Sequence, residues 1–162
     1  MYSSLTQLYL KVSDDMAGID LSEVETLFDL AVFPSLKKFG YRTYGRDFFP
    51  NRAVQSLFNR SRCQLTHFDL SGDLENSRSE GLISIFDDLP SITHLKLEDT
   101  GRYGRTWPES GIGWDALLQR LGPTRHDEFE RLFPRLESLE FLGYEAISWS
   151  CLAGWRTVSA WE

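Results

Sequence analysis

Leu65-Thr66-His67-Phe68-Asp69-Leu70 places apolar residues first, fourth and sixth in a stretch of six. Phe68 and Leu70 stand two apart, the spacing that sends both side chains to the same face of a β-strand. The pattern occurs four more times: Leu5-Thr6-Gln7-Leu8-Tyr9-Leu10, Leu36-Lys37-Lys38-Phe39-Gly40-Tyr41, Ile92-Thr93-His94-Leu95-Lys96-Leu97 and Leu136-Glu137-Ser138-Leu139-Glu140-Phe141. The leading positions 5, 36, 65, 92 and 136 are separated by 31, 29, 27 and 44 residues, so the last interval carries an insertion. A strand with one apolar stripe cannot bury that stripe alone. Stacked copies form a parallel sheet whose inner face is a continuous core.

Between the strands the apolar spacing changes from two to about 3.6. Leu21, Val24, Leu27, Phe28 and Leu30 share one helical face, with Asp20 or Ser22 placed to cap the start and Pro34 to stop the run. Val54, Leu57 and Phe58 predict a helix from about Asn51 to Arg60, and Leu82, Ile83, Ile85, Phe86 and Leu89 a third that Pro90 ends. Further helices are expected at Trp114 to Leu121, His126 to Phe133 and Glu145 to Trp155. Proline precedes the strand in Phe33-Pro34-Ser35-Leu36, Leu89-Pro90-Ser91-Ile92 and Phe133-Pro134-Arg135-Leu136, where it ends the helix and sets an extended lead-in. Arg62-Cys63-Gln64-Leu65 takes that place without proline. Repeats of this kind and length predict an α/β leucine-rich-repeat solenoid, a short right-handed αβ horseshoe of about five parallel strands. It is expected to be one domain over residues 1–162, an array incomplete on its N-terminal side.

Composition narrows the function. The chain is 41% hydrophobic and 14% aromatic, enough for a core and too rich for a disordered segment. No run approaches the about 18 apolar residues of a spanning helix, and Met1-Tyr2-Ser3-Ser4-Leu5 has no basic region leading into an apolar one. An intracellular protein, cytoplasmic or nuclear, is therefore expected. A formal net charge of −7 argues against nucleic acid or an anionic membrane as the main partner. Cys63 and Cys151 form no recognisable framework and read as small buried apolar residues. No HExxH, CxxC or GxSxG pattern is present. His67 and His94 share a repeat position and should stack on neighbouring strands; this Thr-His column reads as structural rather than as a metal site. No catalytic residue, cofactor or metal is expected, and the chain reads as a non-enzymatic protein.

The segments FPSLKKF (33–39), SRCQLTHFDLSG (61–72), LPSITHLKLED (89–99) and LFPRLESLEFLG (132–143) resemble the leucine-rich-repeat region of basidiomycete fungal F-box proteins, over roughly Leu5 to Trp155. In that family an N-terminal F-box binds the Skp adaptor of a cullin-based ubiquitin ligase and the repeats hold the substrate. The resemblance thus implies a substrate receptor. The chain departs from the family in that no F-box is found before the first repeat, so Skp binding is expected only of a longer product that carries one.

In such a solenoid the residues between the apolar ones face the open side of the sheet. Alternation assigns five rows there: Gln7, Tyr9, Lys11; Lys38, Gly40, Arg42; His67, Asp69, Ser71; His94, Lys96, Glu98; and Ser138, Glu140, Leu142. Charge runs from basic in the second row to acidic in the fifth, a gradient suited to orienting a protein partner. Tyr9, Lys38, Arg42, His67, Asp69, His94 and Lys96 are the candidate binding set. Tyr44, Arg46, Arg102, Tyr103, Arg105 and Trp107, in loops that interleave arginine with aromatics, are the second. The alternative expectation is a structural remnant that dimerises through Leu5, Leu8 and Leu10 of an uncapped first repeat.

Overall fold

A computed structural model describes residues 4–13, 21–44, 49–72, 79–100, 133–142 and 158–160. They form, in chain order, β1 (Gln7–Ser13), α1 (Leu21–Leu30), β2 (Lys38–Tyr44), α2 (Asn51–Ser61), β3 (His67–Gly72), α3 (Ser79–Asp87), β4 (His94–Asp99), β5 (Ser138–Leu142) and β6 (Val158–Ala160). The strands make one six-stranded sheet in the order β1-β2-β3-β4-β5-β6, and every neighbouring pair is parallel. Each new strand is therefore added on the same side of the last, an α/β arrangement that advances like a solenoid.

Register follows the sequence repeat. Leu8, Phe39, Phe68, Leu95 and Leu139 form one column across the sheet, and Leu10, Tyr41, Leu70, Leu97 and Phe141 another. All are buried from β2 onward, whereas Leu8 and Leu10 on the β1 edge are only partly covered. Parallel crossovers have one hand. With strands added in one direction, that rule puts every connecting helix on one face, and α1 packs on α2 and α2 on α3 accordingly. Among the described residues, the other sheet face is left without a helix layer.

A network of rings fills the space between the layers. Phe68 touches Phe39 (5.7 Å between ring centres), Phe49 (6.3 Å), Phe58 (6.4 Å) and Phe86 (5.4 Å), and Phe86 passes the contact on to Phe133 (5.1 Å). Such tilted and edge-on ring pairs are favourable beyond the area they bury. Cys63, half-buried beside this core, has its thiol pKa pushed up chiefly by burial, which favours the protonated form.

The lead-in to each strand repeats to the atom. The Thr6 carbonyl accepts the N–H groups of Lys37 and Lys38, that of Lys37 accepts Thr66 and His67, that of Thr66 accepts Thr93 and His94, and that of Thr93 accepts Glu137 and Ser138. These bonds pin one register between successive units. Proline has a different role from the expected extended lead-in. Leu36 N–H donates to the Phe33 carbonyl, Ile92 to Leu89 and Leu136 to Phe133, so each proline is the second residue of a β-turn, where its fixed φ fits. The unit without proline turns at Arg62, whose left-handed φ of 47° lets its N–H close α2 on the Phe58 carbonyl.

The three expected helices at 21–30, 51–61 and 79–87 are present. Ser22 lies inside α1 rather than capping it, and its carbonyl accepts the Thr26 hydroxyl. Sequence periodicity did not indicate β6. The helices expected at 114–121, 126–133 (apart from Phe133) and 145–155 lie outside the described residues. Among the described residues, no helix is long and apolar enough to cross a membrane.

Candidate functional site

The bare face of the sheet carries three columns of side chains in register. Gln7, Lys38, His67, His94 and Ser138 form the first; Tyr9, Gly40, Asp69, Lys96 and Glu140 the second; Lys11, Arg42, Ser71, Glu98 and Leu142 the third. All seven residues of the first candidate set, Tyr9, Lys38, Arg42, His67, Asp69, His94 and Lys96, thus share one face. Of the loop set, Tyr44 ends β2, and Arg46, Arg102, Tyr103, Arg105 and Trp107 lie outside the described residues.

Tyr9 is 59% exposed and its ring lies across β2. Gly40 is what admits it: a Cβ at that position would sit 2.2 Å from Tyr9 Cδ1, too close for any other residue without moving the ring. Tyr9, Lys11, Gly40, Arg42 and Asp69 line a notch of about 210 Å³. That is below the roughly 300 Å³ at which small-molecule pockets begin, and suits a single side chain of a partner.

Charges on this face pair with each other. Arg42 bridges to Glu98 (2.9 Å) and Lys96 to Glu140 (3.1 Å). The first bridge runs from β2 to β4 above Ser71 of β3, so Ser71, expected to be solvated, is only 1% exposed. The expected gradient from basic to acidic is therefore folded into internal pairs at two of its cations. Four cations (Lys11, Lys38, Arg42, Lys96) and three carboxylates (Asp69, Glu98, Glu140) make the face nearly neutral within a chain of net charge −7. Asp69, in the middle of the sheet, has its pKa raised: burial outweighs the neighbouring Lys96 and Arg42, and Glu98 and Glu140 add to the shift.

His67 and His94 stack with ring centres 4.2 Å apart and planes within 2°. Each ring Nδ1 contacts the hydroxyl of the preceding threonine, Thr66 at 2.9 Å and Thr93 at 2.8 Å. The pKa of His67 is lowered, first by desolvation and then by His94 and Lys38. Sequence reading picked out both histidines but gave the threonines no part in holding them; the shared Thr-His pairs at 66–67 and 93–94 are the signal. Parallel rings carry parallel lone pairs, which do not converge on one ion. Among the described residues, no group of three or more potential ligands is placed to hold a metal.

No family model, curated protein or solved structure matches the chain. The functional reading therefore stands on this face and its chemistry.

Proposed function

We infer that the chain is a leucine-rich-repeat solenoid acting as a non-enzymatic protein-recognition module, whose bare sheet face receives a protein partner. The observation that carries this reading is the in-register array of Tyr9, Lys38, Arg42, His67, Asp69, His94 and Lys96 on a face that no helix covers among the described residues. Exposed tyrosine and arginine are the residue types most often decisive in protein interfaces. A shallow, side-chain-sized notch fits recognition better than turnover. The resemblance to F-box repeats supports a substrate-receptor role in an intracellular setting, with Skp engaged only through an F-box on a longer product.

The test is cross-linking capture with the full chain. Tyr9→Ala combined with Lys11→Glu should lose the proteins the parent chain retains. Arg52→Glu, on the exposed side of α2, should keep them. Identical partners for all three chains would sink the reading.

A second reading, self-association through the first unit, is favoured by one observation. Leu5, Leu27 and Leu30 of the first unit are 36%, 43% and 78% exposed, beside the β1 sheet edge. Light scattering distinguishes it: a monomer at every concentration removes its support.

A further inference from the structure

We propose that the stacked imidazoles of His67 and His94 form a pH-gated docking site for a carboxylate of a protein partner. This deepens the recognition reading above and rests on it, by naming the chemistry that one column of the bare face receives.

The argument begins with the threonine hydroxyls. Thr66 Oγ1 donates to the Lys37 carbonyl and Thr93 Oγ1 to the Thr66 carbonyl, each at 3.1 Å. A hydroxyl has one proton to give. The contact with Nδ1 of the adjacent imidazole holds in either proton arrangement and anchors each ring on its threonine. Both rings are thereby held in one orientation, with Nε2 turned away from the threonine. Because the rings are parallel to 2° and 4.2 Å apart, their Nε2 atoms point the same way from adjacent strands.

Proton uptake makes each ring a cation with an N–H at both nitrogens, so the two Nε2 atoms become a pair of side-by-side charged donors. Two parallel donors of this kind match the two oxygens of one carboxylate, and the bonds gain strength from the opposite charges. Without an anion, neighbouring imidazolium rings repel, so the pair resists taking up protons. A carboxylate lying across both rings offsets that repulsion. Binding and protonation are then linked, and affinity rises as pH falls.

The charged surroundings agree. Lys38 on β2 stands beside His67 and favours an anion, and Ser138 on β5 stands beside His94 without charge. In the next column Asp69 on β3 faces Lys96 on β4, and Glu140 on β5 is held by Lys96. The pKa of His67 is lowered, which favours its neutral ring when no anion is bound.

The experiment uses the full chain and a blocked triglutamate peptide, with the blocked triglutamine peptide as control, at matched ionic strength. The ring Cε1–H signals of His67 and His94 are followed by NMR from about pH 8 to about pH 5.5. The glutamate peptide should raise the titration midpoint of the pair by about 0.5–1 unit, and its binding should tighten roughly tenfold over that range. Lys38→Gln should weaken binding at every pH, and His94→Gln should reduce its pH dependence. Equal midpoints with both peptides, or binding independent of pH, overturns the proposal. The unsubstituted chain alone decides it, so a variant that fails to fold changes nothing. Failure here leaves the Tyr9 and Lys11 capture test standing. Conversely, a shifted midpoint with unchanged capture would keep the carboxylate site and remove the wider reading.

Discussion

Phe68 bears on four other rings, more than any neighbour in the described core, so its loss removes contacts to both the helix layer and the adjacent strands. Phe68→Ala is expected to cost about 3–5 kcal/mol in urea unfolding. A cost under about 1 kcal/mol would mean that the ring network is not formed. The titratable residues of the bare face make opposite statements. The pKa of His67 is depressed, so the folded chain favours the neutral ring and the unfolded chain binds more protons. Its contribution to stability is full above about pH 6.5 and is lost as pH falls from there through the folded value. The pKa of Asp69 is raised, so the folded chain binds the extra proton, and its ionisation opposes folding as pH rises through that raised value. Asp69→Asn should therefore leave the urea midpoint at neutral pH unchanged or higher. A clear drop would show that its attraction to Lys96 and Arg42 outweighs its burial.

Two elements end in ways that can be altered independently. The α2 helix closes through Arg62 at φ 47°, a region where a side chain is strained and glycine is not. Arg62→Gly should raise stability by about 0.5 kcal/mol, the strain relieved exceeding the added freedom of the unfolded chain. Helix α1 has no basic residue in its last turn. Arg60 of α2 supplies one across the helix pair, donating from its guanidinium to the carbonyls of Phe28 and Ala31. Arg60→Ala should lose about 1–2 kcal/mol and speed amide exchange in the last turn of α1 while sparing α3. Exchange rising equally in α3 would contradict such local control.

At the scale of the molecule, strand pairing and helix packing join neighbouring units, and β1 lies at a sheet edge, so among the described residues the first unit has little cover. If the exposed leucines of α1 drive self-association, Leu27→Glu with Leu30→Glu should abolish a concentration-dependent mass in light scattering without lowering the unfolding midpoint by more than about 0.5 kcal/mol. The interior units are buried on both sides, and Leu36, Leu65 and Ile92, the leading residues of three repeats, have no exposed surface. Equivalent substitutions there should unfold the chain.

The repeat of apolar residues at positions one, four and six carried the strand positions, their parallel register and the membership of the bare face, because a strand's period of two and the stacking of like units leave little freedom. Hydrophobic spacing likewise carried the three helices. What it did not carry depends on neighbours brought together from different units. Ser71 is buried only because Arg42 and Glu98, 56 residues apart, reach across it. The prolines serve as turn residues because a carbonyl three positions from the strand's leading residue meets that residue's N–H. Val158–Ala160 has no repeat pattern of its own and becomes a strand by pairing with β5. Local spacing determines which face a side chain takes; only the packed sheet decides which partners it finds there, since those contacts join residues that no local period relates.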